Sequence, residues 1–204
     1  MTSRWGVDPP GATPLEAEDF EELIPTDIAT RSELNAVERD NIVAARLWAF
    51  TGRPITDVQQ LFDTTTVDEI HRRMFGNVWK WAGKRRTRAT TIGVTPTQIV
   101  TQLKDTLDDV RYWHDHETFN PVETAVRVHH RLVFIHPYVN GNGRHARLVA
   151  DLYLHIVDGS SLRWGPDGSE ASDSRAAYIA ALRKADQGDY SQLIVYATGQ
   201  LDTS

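Results

Sequence analysis

The chain has 204 residues, 40% hydrophobic and 25% charged, with a formal net charge of -6. That balance is ordinary for a folded globular chain and argues against general nucleic-acid binding, which usually goes with a basic surface. The absence of cysteine excludes disulfides, thiolate catalysis and Cys-ligated zinc, and fits a reducing compartment.

The N-terminus from Met1 to Gly6 runs into prolines, not into an apolar core, so no signal peptide is expected. No stretch approaches the ~18 apolar residues of a membrane span, and a soluble, cytoplasmic protein is expected. Residues 1–30 read as a loosely docked arm, punctuated by Pro9, Pro10, Pro14 and Pro25, with one or two helical turns between Leu15 and Leu23.

From Ser32 the pattern becomes helical. Leu34, Val37, Ile42, Ala45, Trp48 and Ala49 fall on one face, and Gly52-Arg53-Pro54 stops the run. A second helix is predicted from Val67 to about Phe75. The Thr-rich stretch Thr87–Val94 is the one strand-like segment and predicts a short hairpin. Helical spacing returns from Ile99 to Trp113. Asn120-Pro121-Val122-Glu123 is a strong helix start, with Asn as cap and Pro at the first helical position. The next helix opens near Gly143 and ends at Asp158-Gly159. Two more are predicted over Ser174–Ala185 and about Tyr190–Thr198. The fold class is mainly α with a small hairpin, organised as an arm over 1–30 and a helical domain over 31–204.

The richest chemistry lies in His136-Pro137-Tyr138-Val139-Asn140-Gly141-Asn142-Gly143-Arg144-His145-Ala146-Arg147. Asn140 to Gly143 tolerate positive φ, so their N–H groups can converge into an anion nest. The loop opens onto a helix N-terminus, where free N–H groups and the macrodipole favour phosphate. Arg144 and Arg147 are three apart and share a face, which suits a di- or triphosphate. His136, at the end of the preceding helix, can act as a base near neutral pH. Each element alone has a bland reading, as a turn, a surface arginine or a packed histidine; their order gives them force.

Other clusters carry less. His129, His130 and His136 have no carboxylates at ligand spacing, so His129 reads as core-facing. Lys84, Arg85, Arg86 and Arg88 follow Trp79 and Trp81; with the net charge at -6, they fit the base of a flap better than a nucleic-acid surface.

The twelve-residue run resembles the signature of the Fic (Fido) family, H-P-F-x-[D/E]-G-N-[G/K]-R-x-x-R. It matches at His136, Pro137, Gly141, Asn142, Gly143, Arg144 and Arg147, with Tyr138 in place of Phe. Val78–Lys84 followed by Arg86-Thr87 resembles the family's approach to its flap, and His129–Ile135 its helix before the motif. The likeness covers about residues 60–198. The arm Pro9–Leu15 and the segment Glu33-Leu34-Asn35 are similar to the subgroup called mobile mystery protein B.

The resemblance implies a helical Fic domain that transfers AMP from ATP to a Tyr, Thr or Ser hydroxyl of a target protein. It casts His136 as the base, and Gly141, Asn142 and Gly143 as the anion hole. Arg144 and Arg147 would hold the β and γ phosphates. Thr87, Thr90, Thr91 and Ile92 would form a flap that clamps a target segment by strand addition. It also implies nucleotide and target-protein partners and, by analogy, an antitoxin-like regulator.

The pattern departs at one position. The family's Mg²⁺-binding Asp or Glu is Asn140 here, which keeps an oxygen but supplies no charge. Weak or conditional transfer is therefore expected, with a nucleotide-binding regulatory or toxin–antitoxin-like protein of little catalysis, or a phosphoryl transferase, as alternatives. The family's inhibitory [S/T]-x-x-x-E-[G/N] helix is matched poorly: Glu38 has Leu34 before it and Arg39 after it. An exposed helical Glu is the expectation there; an inhibitory role would pair it with Arg147.

Overall fold

The computed structural model describes residues 17–52, 55–165 and 172–199. The helices are α1 (Ala17–Glu21), α2 (Arg31–Thr51), α3 (Val58–Leu61), α4 (Thr64–Phe75), α5 (Pro96–Asp115), α6 (Pro121–Ile135), α7 (Asn142–Asp158), α8 (Ser172–Ala185) and α9 (Ser191–Thr198). The mainly helical expectation holds. The subgroup-like arm Pro9–Leu15 lies outside the described residues.

Local chemistry sets the helix ends. Thr30 and Glu33 form a reciprocal capping box on α2. Asp63 caps α4 through the Thr65 N–H at 2.8 Å, starting that helix three residues before the predicted Val67. The β-branched run Thr64-Thr65-Thr66 hides this start from a propensity reading. Asn120 caps α6 as predicted, its Oδ1 accepting from the Glu123 N–H at 2.9 Å. The short α3 carries no sequence period long enough to read.

The central pair is α6 against α7. Helix α5 packs on α6, α2 packs along α4, and α8 packs with α9. Val126, Leu132, Ala146, Val149 and Tyr153 fill the centre, with Phe62, Ile70 and Met74 beneath them. This pairing places the end of α6 and the start of α7 side by side, joined by the loop 136–141.

Two expectations are corrected. The stretch 87–94 is not a hairpin: it has no strand pairing, and an antiparallel bridge between Leu23 and Trp79 is the β pairing among the described residues. Its polar backbone is satisfied elsewhere, with the Val94 N–H donating to the Ile135 carbonyl at 3.3 Å and the Arg86 guanidinium donating to the Val94 carbonyl at 2.5 Å. The described part of the arm is also firmly docked. The Ile24 N–H donates to the Val78 carbonyl at 2.8 Å and the Lys80 N–H to the Glu22 carbonyl at 2.9 Å. Asp19 is buried and accepts from Arg88 at 2.6 Å.

Candidate functional site

The site begins where α6 ends. His136 is the C-cap, held in the left-handed region at φ 53°, a conformation L-residues avoid unless the surroundings impose it. Its ring is buried at 6% exposure, and burial, partly offset by a hydrogen bond that the ring donates to the Val133 backbone, pushes its pKa down to about 4. The imidazole is therefore neutral at pH 7 and able to accept a proton.

The loop then folds on itself. The Asn142 amide clamps Tyr138, accepting from its N–H and donating to its carbonyl, both at 2.9 Å. Asn142 is buried, and its side chain shapes the loop. The Asn140 Oδ1 accepts from the Gly141 N–H at 2.6 Å. Of the predicted nest residues, Gly141 alone has a positive φ, 79°. It is required on a second count: a Cβ there would lie 2.5 Å from the Phe75 ring. Gly143 sits in the first turn of α7, and a Cβ there would meet nothing within 4 Å. The helix N-terminus thus opens onto space on the Gly143 side, with Arg144 half-buried next to it. Free N–H groups at that end, with a guanidinium adjacent, suit a phosphate.

Sequence reasoning missed the residues that brace this loop from α4. His71 is fully buried; its Nδ1 accepts from the Gly83 N–H at 2.9 Å, which fixes Nε2 as the donor to the Asn140 carbonyl at 3.1 Å. Burial holds this histidine well below the usual pKa, in the neutral form that such bridging requires. Its ring stacks on Tyr138 at 3.7 Å. The Tyr138 hydroxyl donates to Asp68 Oδ1 at 2.8 Å, and Asp68 also pairs with Arg85 at 2.8 Å. A Phe would leave that carboxylate with one partner fewer, which gives the Phe-to-Tyr change a structural reason.

The two motif arginines have different partners. Arg144 lies over the Phe75 ring at 5.0 Å and donates to Glu38 Oε2 at 2.7 Å. Arg147 sits over Tyr178 at 5.1 Å and Trp164 at 5.7 Å, beside the buried His129. Glu38 is not the exposed residue expected: it is 6% exposed, also accepts from Trp79 Nε1 at 2.7 Å, and pairs with Arg144, not with Arg147. The only sequence cue was its place four residues after Leu34, on the buried stripe of α2. His129 is core-facing, as read.

Thr87, Thr91 and Ile92 of the predicted flap are exposed, while Thr90 turns back to bond the Ile92 carbonyl at 2.6 Å. The segment reaches the site at Gly93, where a Cβ would lie 2.4 Å from the His136 Cβ. For a metal, the donor set is poor: Asn140 supplies a neutral oxygen, and among the described residues no group of three or more His, Asp or Glu converges. Among the described residues, the side chains present do not make a protein-held Mg²⁺ site.

Residues 61–154 match the family model described as the Fic/DOC family. The protein adenylyltransferase fic-1 of Caenorhabditis elegans is 34% identical over 154 residues, 70% of this chain and 28% of that relative. The chain thus spans under a third of the length of this relative. A solved structure of Fic-1 from C. elegans superposes with a TM-score of 0.59 at 28% identity, covering 79% of this chain and 48% of that one. The BepC protein of Bartonella tribocorum, solved with bound AMPPNP, gives a TM-score of 0.66 at 16% identity over 90% of this chain and 97% of its own, which shows a common fold. With the histidine-capped α6, the glycine-seated loop and the arginine-bearing α7, these matches establish that the chain carries a domain of the Fic/DOC family, spanning residues 61–154.

Proposed function

We propose that the chain transfers AMP from ATP to a hydroxyl of a target protein. One observation carries the reading: a neutral, buried His136 lies at one end of a folded loop whose other end is an open helix N-terminus with Arg144 beside it. The relatives named adenylyltransferases support the same reaction.

In this reading the phosphates settle on the N-terminus of α7, over Gly141 and Gly143, with Arg144 as their guanidinium partner. Arg147 is held among aromatic rings and reaches the γ phosphate only by leaving them. The target hydroxyl approaches from the side of Thr87, Thr90, Thr91 and Ile92 and attacks the α phosphorus. His136 takes its proton as the new O–P bond forms, and the bond to the β-phosphate oxygen breaks to release pyrophosphate. Bound phosphates would raise the basicity of His136, because a nearby anion favours the imidazolium. Mg²⁺, if present, would be held mainly by the nucleotide, and no step is assigned to it. The proposal extends to a cytoplasmic setting, a domain over 31–204, membership of the mobile mystery protein B subgroup and an antitoxin-like regulator.

A second reading, nucleotide binding with little transfer, is favoured by the Glu38–Arg144 pair, which occupies the phosphate-binding arginine. ATP labelled at the α or the γ phosphate separates the possibilities. Transfer of the α label to protein, abolished in His136→Ala with nucleotide binding retained, is the expected result. Transfer of the γ label alone would replace AMP transfer by phosphoryl transfer, and binding without transfer would leave the second reading.

A further inference from the structure

Arg86 is 3% exposed, and its guanidinium is spent on main-chain carbonyls. Nε donates to the His136 carbonyl at 2.7 Å. One terminal nitrogen donates to the Arg88 carbonyl at 2.9 Å; the other donates to Val94 at 2.5 Å and to Ile135 at 3.4 Å. The Ile135 and His136 carbonyls belong to the end of α6, where helix acceptors lack intrahelical donors and the macrodipole favours a cation. The Arg88 and Val94 carbonyls belong to the flap segment.

The main chain repeats the connection. The Arg86 N–H donates to the Pro137 carbonyl at 2.9 Å and the Val94 N–H to Ile135 at 3.3 Å, so both ends of the segment are stitched to the residues flanking His136. Gly93, at φ 103°, lets the backbone come close: a Cβ there would stand 2.4 Å from the His136 Cβ and 2.8 Å from the Arg86 guanidinium. Lysine cannot replace this fork, because an ammonium is a point donor and cannot span carbonyls on two separate segments.

We propose that Arg86 is a positioning residue for the transfer: it binds the end of α6 and the 87–94 segment into one unit, so that a hydroxyl presented on the segment arrives in register with His136. The inference rests on the AMP-transfer reading for its catalytic consequence, but the unit itself is independent of it. The hydrogen bonds of Arg86 go to carbonyls of Arg88, Val94, Ile135, His136 and Pro137, all of them away from the start of α7, so nucleotide binding should not depend on it.

The test compares wild type with Arg86→Gln, Arg86→Lys and Gly93→Ala, the last keeping the arginine but adding a Cβ that crowds the close approach of the segment to His136 and the guanidinium. Amide exchange at Val94 is followed against interior amides of α6 and α7. AMPPNP binding is measured by calorimetry, and AMP transfer by α-labelled ATP with intact-mass detection of self-modification. Protection at Val94 is expected to fall by about tenfold or more in Arg86→Gln and Gly93→Ala, with the helix interiors unchanged. AMPPNP affinity should hold within about threefold, while transfer falls roughly 100-fold, the scale of a 1 Å misplacement. Arg86→Lys should recover little of either. Unchanged Val94 protection in both Arg86→Gln and Gly93→Ala, or wild-type transfer in Arg86→Gln, would overturn the proposal. Should Arg86→Gln fail to fold, Arg86→Lys and Gly93→Ala decide in its place. If wild type transfers no AMP while the exchange result holds, the reaction is wrong and the unit stands.

Discussion

At the scale of single residues, Glu38 is the most consequential side chain outside the motif. It joins a buried indole and the Arg144 guanidinium through its two oxygens. Removing it has two opposed effects. Arg144 is released, and the Trp79 N–H loses its acceptor, which costs ~1–3 kcal/mol when buried. Glu38→Gln separates the effects, since an amide oxygen still accepts from Trp79 but brings no charge to Arg144. If the pair restrains the site, Glu38→Gln should raise ATP affinity and transfer by about tenfold, equivalent to ~1.4 kcal/mol, with little change in melting temperature. Glu38→Gly should raise them too but melt earlier. Unchanged affinity in both variants would reduce the contact to a structural one.

At the scale of elements, the loop between α6 and α7 is legible in the sequence because its constraints are local. Gly141 must reach positive φ, Asn142 bonds four residues back to Tyr138, and the helices on either side carry clear apolar periods. The segment 87–94 departs from its strand-like sequence for the complementary reason. Its threonines favour a strand, but the acceptors and donors it uses lie on α6 and on Arg86, which no local period reveals. Within the loop, Asn140 is the testable position. Asp in its place would keep the acceptor for the Gly141 N–H and add the missing charge. Asn140→Asp should transfer faster than wild type at limiting Mg²⁺, with the difference narrowing at saturation. Equal rates across the Mg²⁺ series would show that this position does not govern metal use.

At the scale of the whole molecule, the helical class and most helix positions follow from hydrophobic spacing, whereas the site's long-range partners do not. His71 to Asn140, Glu38 to Arg144 and Arg86 to His136 join residues far apart in the chain. Burial of histidines also has a global consequence. His71, His129, His136 and His145 are all buried with pKa values lowered by desolvation, to about 4 for His136 and His145. The unfolded chain takes up these protons near 6.5, before the folded one does. The stabilisation from neutral burial is thus complete above that value and is lost as pH falls from 6.5 towards 4. His136 and His145 each cost roughly 2 kcal/mol between pH 7.5 and pH 5 by that linkage. The urea midpoint should therefore drop steeply over this interval; a midpoint independent of pH would mean that these rings are hydrated in solution.

Several present partners of the two motif arginines come from outside the matched stretch 61–154: Glu38, the carboxylate on Arg144, precedes it, while Trp164 and Tyr178, the rings beside Arg147, follow it. A fragment trimmed to the matched stretch would keep every residue of the twelve-residue run and lose the carboxylate on Arg144 and the aromatic rings beside Arg147. The motif is therefore not an autonomous device in this chain. Sequence drift in its flanks can retune the same twelve residues, so chains that share the signature to the letter need not share its resting state.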